Sequence, residues 1–201
     1  MRLDRQTIAS TLRRGATGCL MALAIVMPTA RPATALGDGD VEVVRPPILH
    51  PVQGPVERYY VQFSARGGEG SITGHVNIRT VAVLGGGRRV ITSLFGFYAD
   101  GGAEEYLQSV AGTPGVVGFN RLDLTERPVA AFRVTISEDQ HARILAAVTR
   151  LRRTERWFEL FSRNCNYLAG RIARLIGLKA PGDTAQLPED YVAEMQALNG
   201  R

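Results

Sequence analysis

The stretch LFSRNCNYLAGRIARLIGLKAP, residues 160–181, contains one cysteine, Cys165, between two asparagines. Four apolar residues follow it at helical spacing: Leu168, Ile172, Leu175 and Ile176. This pattern predicts an amphipathic helix that begins near Cys165, and Gly177 and Pro181 predict where it ends. A thiol at this position can be a small buried hydrophobe, half of a disulfide, a metal ligand or a nucleophile.

The first 35 residues have the pattern of a secretory signal peptide. Arginines precede the apolar run GCLMALAIVMP at 18–28, and ATA at 33–35 offers small residues for cleavage after Ala35. The apolar run is shorter than the roughly 18–20 residues needed to span a bilayer, so no stable membrane span is expected. We therefore expect an exported protein that is periplasmic or secreted once the signal peptide has been removed.

Cleavage changes the charge and the cysteine count of a chain of 201 residues. The signal segment carries five of the 24 basic residues and one of the 19 acidic residues, so 19 and 18 remain, a net charge of +1. The sequence pI of about 9.7 is therefore no argument for a nucleic-acid partner. Cys19 is removed as well, which leaves Cys165 alone and excludes an internal disulfide. Neither a metal-binding cysteine spacing nor a nucleotide fingerprint occurs, so no metal and no cofactor is predicted.

The rest of the chain predicts one α+β domain with a mainly antiparallel sheet. Residues 36–57 are rich in Gly and Pro and are interpreted as an extended leader or linker before a domain at 58–201. Strands are predicted at 58–66, 72–84, 88–99 and 130–137, with a hairpin turn at 85–87 and a short strand or extended segment at 157–162. Helices are predicted after Ser137, whose SEDQ sequence has the capping-box form, and at 188–200. Most strands precede the helices, which favours α+β.

Of the three histidines, His75 is the candidate partner for the thiol. His50 lies in the leader, and His141 is expected near the surface of an arginine-rich helix. In GHVNIR, residues 74–79, strand alternation places His75, Asn77 and Arg79 on one face. Three polar groups on one face of a strand indicate a pocket, an interface or solvent. His75 alone would fit a solvent-facing or capped histidine, whereas a helix-initial cysteine elsewhere in the chain favours a Cys–His pair.

The segments TGHVNI (73–78) and FELFSRNCNYLAGRIARLIGL (158–178) together resemble the circularly permuted papain-like group. That group includes lecithin retinol acyltransferase-like proteins, permuted NlpC-type cysteine hydrolases and PPPDE peptidases, in which GH precedes NC along the chain. The resemblance covers roughly residues 58–198. It implies an antiparallel sheet with the nucleophile helix packed against it after the strands, with Cys165 as nucleophile and His75 as general base.

The remaining candidate site residues have supporting roles. The family's third polar residue, which orients the imidazole, has no carboxylate counterpart on the strand next to His75. Asn77 is the candidate on the same strand, although it lies about 7 Å along that strand, and Thr92 and Ser93 on the following strand are alternatives. Asn164 matches the family's NC and is expected to cap the helix.

A hydroxyl near the oxyanion is expected from the first strand of the domain, from Tyr59 or Tyr60. The backbone N–H groups at the start of the Cys165 helix are the other expected oxyanion donors.

These features predict an exported thiol hydrolase or acyl transferase that acts on an amide or ester bond. Its compartment favours a peptide substrate from peptidoglycan, and a lipid ester is the second possibility. Two alternatives stay open: a non-catalytic envelope module that retains the papain-like fold, and a different α+β fold in which Cys165 is a core residue. The oligomeric state is not predicted.

Overall fold

The computed structural model describes residues 43–44, 48–49, 52–67, 74–101 and 103–200. The predicted signal peptide, its cleavage site and His50 lie outside the described residues.

A sheet of antiparallel strands forms the centre of the described chain. Its eight strands are β1 (Val43–Val44), β2 (Ile48–Leu49), β3 (Val56–Arg66), β4 (His75–Leu84), β5 (Arg89–Ala99), β6 (Thr113–Asn120), β7 (Ala130–Ile136) and β8 (Trp157–Phe158). The main path runs β1-β6-β5-β4-β3-β7, while β2 pairs with β5 and β8 pairs with β6. Strands that follow one another in sequence mostly pair, as β3, β4, β5 and β6 do.

The β4–β5 hairpin sets which residues meet at the candidate site. A 3-10 turn at Gly85–Gly87 joins the two strands. The pairing runs from Val83 opposite Arg89, and it shifts by one residue between Thr80 and Val81. Such a bulge reverses which side chains share a face beyond it. Asn77 consequently lies opposite Gly96, and continuing this register places His75 opposite Tyr98.

In the described part of the chain, five helices accompany the sheet: α1 (Ala103–Gln108), α2 (Leu122–Thr125), α3 (Glu138–Thr154), α4 (Cys165–Leu175) and α5 (Pro188–Leu198). The capping box of α3 is present, because Ser137 Oγ accepts from the N–H of Gln140 and the Gln140 side chain accepts from the N–H of Ser137. Pro188 begins α5, where its missing N–H removes no intrahelical bond.

The two faces of the central strands differ in character. One face packs against α3, α4 and α5 and forms the main core, whose largest buried members include Phe63, Ile78, Phe95, Phe97, Leu168, Ile172, Tyr191 and Met195. The opposite face carries buried polar side chains, among them Ser64, Arg66, His75 and Asn77. Alternation along β4 explains the division, since Val76 and Ile78 enter the core between these polar positions.

The predicted α+β class with an antiparallel sheet is confirmed. Two elements of the predicted domain, β6 and α2, were not predicted from the sequence. Pro114 and two glycines interrupt the strand pattern of β6, and α2 is only one turn long. Parts of the predicted leader take part in the sheet: β1 pairs with β6, β2 pairs with β5, and β3 already begins at Val56.

Candidate active site

Cys165 is the first residue of α4, and its side chain is buried, with 8% of the residue exposed. The expected cap is present, since Asn164 is the N-cap and its Oδ1 accepts from the N–H of Tyr167 at 3.0 Å. The thiol therefore lies in the first helical turn, where backbone N–H groups lack intrahelical partners and the helix dipole favours negative charge. Both effects favour a thiolate at this position.

Two asparagines attach the chain after α4 to the start of this helix. Asn164 Nδ2 donates to the carbonyl oxygens of Leu160 (2.6 Å) and Thr184 (2.7 Å). Asn166 Nδ2 donates to those of Thr184 (3.1 Å) and Gln186 (2.9 Å). Because both side chains are buried, these bonds hold the 184–186 segment beside Cys165.

A cavity opens in front of Cys165, with a volume of about 90 Å³ available to the centre of a water molecule. Its polar lining comes from His75, Tyr98, Asn164, Cys165, Asn166 and Gln186. Its apolar lining includes Phe97, Tyr106, Phe158, Leu160, Phe161 and Leu187. Among the described residues that line this cavity there is no Asp, Glu, Lys or Arg. Two apolar residues of this lining, Phe161 and Leu187, are exposed to solvent.

His75 is the first residue of β4 and reaches the same cavity from the end of the sheet. Only 4% of it is exposed. Alternation places its side chain on the polar face of β4, whereas Cys165 packs with the core beneath α4. The two residues border one cavity because each begins its element at this end of the sheet.

Two glycines make room for the histidine. A Cβ on Gly96 would lie less than 3.0 Å from His75 Nε2 and 3.0 Å from its Cε1, so the imidazole occupies the space of the missing side chain. Gly74, directly before His75, has a φ of +66°, and a Cβ there would be 2.6 Å from the carbonyl oxygen of Arg66. A residue with a side chain would be strained at position 74 and would displace the ring at position 96.

A buried carboxylate network lies on the polar face behind His75. The imidazole stacks on the ring of Tyr98, with centroids 4.0 Å apart and planes at 22°. The Tyr98 hydroxyl donates a short hydrogen bond to Oδ2 of Asp123, a buried residue of α2. Asp123 Oδ1 accepts from Arg66 Nε at 2.9 Å and from Asn77 Nδ2 at 3.1 Å, and its Oδ2 accepts from the N–H of Asn120 at 3.0 Å.

Asn77 therefore lies in the Asp123 network and is not part of the cavity lining. Thr92 and Ser93 are five or six residues along β5 from Tyr98, which corresponds to roughly 17–20 Å at strand spacing. Both bond to Thr80 Oγ1, at 2.7 and 2.6 Å. The structure does not bring these three side chains into the cavity beside His75.

The two tyrosines named as oxyanion candidates also lie away from the cavity. Tyr60 packs in a small cluster with Val81 and Val83 on the polar face, and the guanidinium of Arg133 lies 4.7 Å above its ring. Tyr59 stacks on His141. Neither contributes to the cavity lining.

The expectation that His141 lies near the helix surface is wrong. It is 7% exposed, its ring stacks on Tyr59 with centroids 4.2 Å apart, and its Nε2 is 2.8 Å from Thr92 Oγ1. Burial lowers the pKa of His141, and the nearby Glu138 carboxylate partly opposes that shift. The apolar stripe of α3 gives the reason, since His141 shares the helix face of Ile144 and Val148.

Tyr98 and Asp123 are the site residues that sequence reasoning missed. If residues of the β4–β5 hairpin are paired outward from the Gly85–Gly87 turn, residue 97 or 98 lies opposite His75. Thr92 and Ser93, the candidates on this strand, lie nearer the turn. The one-residue bulge selects Tyr98 over Phe97. No sequence pattern identifies Asp123 as a site residue. The path of the chain through β6 and α2 brings it into the network.

Burial raises the pKa of Tyr191 to about 12; the neighbouring Arg174 opposes the shift, and Cys165 and Glu194 add to it. This tyrosine, fully buried in α5, therefore keeps its proton near Cys165 at neutral pH.

Within the described ranges, no three His, Cys, Asp or Glu side chains are grouped to hold a metal ion. In the same part of the chain, no helix has the length and apolar character to cross a membrane. Comparison of the chain with protein-family models, with curated proteins and with solved structures gives no match.

Proposed function

We propose that this protein is an exported thiol hydrolase or acyl transferase with a permuted papain-like fold, acting on an amide or ester bond. One observation carries the proposal: Cys165 at the first turn of α4 and His75 at the first residue of β4 line the same buried cavity. A helix-initial thiol and an imidazole around one cavity are the two groups that nucleophilic thiol catalysis requires.

In the proposed reaction, the Cys165 proton passes to His75, which gives a thiolate and an imidazolium. The thiolate attacks the carbonyl carbon of the substrate, and backbone N–H groups of the first turn of α4 stabilise the oxyanion. The C–N or C–O bond then breaks, His75 protonates the leaving amine or alcohol, and a thioester on Cys165 remains. Water or another acceptor attacks the thioester, releases the acyl group and returns the proton to the thiol.

The lining of the cavity bears on the substrate. Because the described lining residues include no Asp, Glu, Lys or Arg and many apolar side chains, the acyl portion that enters should be uncharged and largely apolar. This suits a lipid ester, or a peptide bond next to an uncharged residue. A cell-wall peptide would have to keep its carboxylates and amines outside the cavity.

A specific observation also favours the non-catalytic alternative. Gly96 lies where a side chain of β5 would meet His75 Nε2, so this position of β5 provides no polar residue to orient the imidazole. An envelope binding module that retains the fold would need no such residue.

Thiol labelling separates the two proposals. We expect iodoacetamide to alkylate Cys165 at pH 5.5–6.5, where an unactivated thiol with a pKa of about 8.5 is almost entirely protonated. His75→Ala should slow labelling at this pH to the rate of an ordinary buried thiol. Cys165→Ser provides the unlabelled control, and circular dichroism checks the fold of each variant. Native protein that labels only as fast as the His75→Ala variant across pH 5–9 would exclude the catalytic proposal and favour the binding module.

A further inference from the structure

The network behind His75 contains a buried carboxylate that no step of the proposed reaction uses. Asp123 has no exposed side-chain area and accepts from Arg66, Asn77, Tyr98 and the backbone of Asn120. Four donors around one carboxylate fix its position. Of its partners, Tyr98 is the one whose ring also contacts His75.

We propose that Tyr98 and Asp123 are positioning residues for His75, with the tyrosine ring inserted between the carboxylate and the imidazole. The inference rests on the proposed function, in which His75 is the base. Asp123 holds the Tyr98 hydroxyl, Tyr98 holds the plane of the imidazole by stacking, and Gly96 provides the space that this stacked position needs.

The arrangement also acts on the charged form of the histidine. A phenol that donates to a carboxylate gains electron density in its ring, and an electron-rich ring face stabilises a cation stacked on it. The imidazolium formed when Cys165 loses its proton is such a cation. Asp123 and Tyr98 therefore favour the thiolate–imidazolium pair without a direct carboxylate–histidine contact.

Arg66 opposes this effect and is itself neutralised by the network. It pairs with His75 across β3 and β4, where a free guanidinium would disfavour a second positive charge. Its Nε lies 2.9 Å from Asp123 Oδ1, and its Nη1 lies 3.4 Å from Glu126 Oε2. Asp123 thus acts on His75 in two ways, through the Tyr98 ring and by pairing Arg66.

Among the described residues, the charged and titratable groups around the Cys165–His75 cavity and its network include Arg66, Arg79, Tyr98, Glu105, Tyr106, Asp123, Glu126, Arg174 and Tyr191. Tyr191 keeps its proton over the range tested, because its pKa is raised to about 12. The side chain of Glu126 is 36% exposed and pairs with Arg66 Nη1 at 3.4 Å. Because the variants leave the other groups in place, a shift of His75 that appears on changing Tyr98 or Asp123, and not on changing Tyr59, is assigned to the proposed network.

The test compares Tyr98→Phe and Asp123→Asn in the full chain, with Tyr59→Phe as the matched control. Tyr59 forms the same kind of stack with His141, at 4.2 Å, but lies away from the cavity. Two readouts are used: the titration of the His75 ring by NMR in a Cys165→Ser background, and the pH midpoint of Cys165 alkylation. The His75 resonance is assigned by its loss in His75→Ala.

We expect Tyr98→Phe to lower the titration midpoint of His75 and to slow Cys165 alkylation at pH 6 by about threefold to tenfold. Asp123→Asn should have the larger effect, because it also removes the carboxylate that lies 2.9 Å from Arg66 Nε. Tyr59→Phe should change neither readout. Asp123→Asn breaks the buried ion pair with Arg66 and can prevent folding. Tyr98→Phe leaves that ion pair intact, so the effect of the Tyr98 hydroxyl on His75 can be measured in folded protein.

The two possible failures are distinguishable. Folded Tyr98→Phe protein with unchanged His75 titration and unchanged alkylation, while His75→Ala still slows alkylation, would overturn the positioning role and leave the proposed function standing. If His75→Ala does not slow alkylation, the proposed function fails instead. The NMR titration then decides by itself whether Tyr98 and Asp123 stabilise the imidazolium.

Discussion

Replacing Gly96 with alanine tests the placement of His75 most directly. The added Cβ would lie 3.0 Å from His75 Cε1, 3.1 Å from Tyr98 Cε2 and closer still to His75 Nε2. Ordinary van der Waals contact begins at 3.4 Å, so the imidazole must retreat by at least 0.4 Å at Cε1 and by more at Nε2. The ring cannot move away freely, because Tyr98 stacks on it at 4.0 Å.

Two consequences of Gly96→Ala are expected. Overpacking a buried site costs about 1–3 kcal/mol of unfolding free energy. Catalytic groups need to be held within about 0.5 Å, so Cys165 alkylation at pH 6 should also fall by about tenfold. Urea denaturation measures the first effect, and the iodoacetamide rate measures the second.

A double variant shows whether His75 is the cause. His75→Ala removes the closest group that the new methyl group meets, so Gly96→Ala should cost less stability in that background, where the contact of 3.1 Å with Tyr98 Cε2 remains. Gly85→Ala is the control in the same hairpin, since a Cβ there has no neighbour within 4 Å. Equal destabilisation by Gly96→Ala with and without His75 would refute the described packing, as would an unchanged alkylation rate.

Two further predictions concern the core on the other face of the sheet. Burial lowers the pKa of His141 in the folded protein, so the unfolded chain binds the proton more tightly. The contribution of neutral His141 to the free energy of unfolding should be fully present above the unfolded pKa of about 6.5. It should fall as the pH decreases below that value, by at most about 1.4 kcal/mol per pH unit. His141→Gln should flatten urea midpoints measured between pH 7 and 5, and an equally steep dependence in the variant would contradict this origin. Gly170→Ala would place a Cβ less than 3.0 Å from the buried hydroxyl of Tyr191, so this substitution should destabilise the protein that retains Tyr191. In the Tyr191→Phe variant the hydroxyl is absent. There Gly170→Ala should stabilise the fold by about 0.5–1 kcal/mol, because alanine has the higher helix propensity. Thermal unfolding measures this pair against Gly182→Ala, whose Cβ meets nothing within 4 Å, and a loss in both backgrounds would contradict it.

Local patterns were sufficient to predict the elements that carry the site. The alternation of residues 75–84 predicted β4, and the apolar spacing after Cys165 predicted α4 with Asn164 as its cap. These predictions succeed because periodicity and capping depend on residues within one or two turns of each other. The interruption of residues 112–118 by glycines and Pro114 concealed β6, whose pairing with β5 is a contact between distant segments.

The surroundings of His75 could not be predicted in the same way. A single bulge near Thr92 decides that Tyr98 rather than Phe97 faces the imidazole, and Thr92 itself bonds to a histidine that was expected near the surface. Asp123 comes from the α2 turn between β6 and β7, and it meets Arg66, Asn77 and Tyr98 from three other strands. Such contacts depend on register and on the packing of separate elements.

The sequence by itself determined the α+β class, the helix that begins at Cys165 and the choice of Cys165 and His75 as candidate groups. These conclusions follow from composition, spacing and alternation, which act locally along the chain. Only the tertiary structure decided that both residues line one cavity, that Gly96 makes room for the imidazole, and that Tyr98 and Asp123 lie behind it. The physical reason is that strand register and helix packing bring together residues up to 90 positions apart, and no local pattern encodes the distances between them.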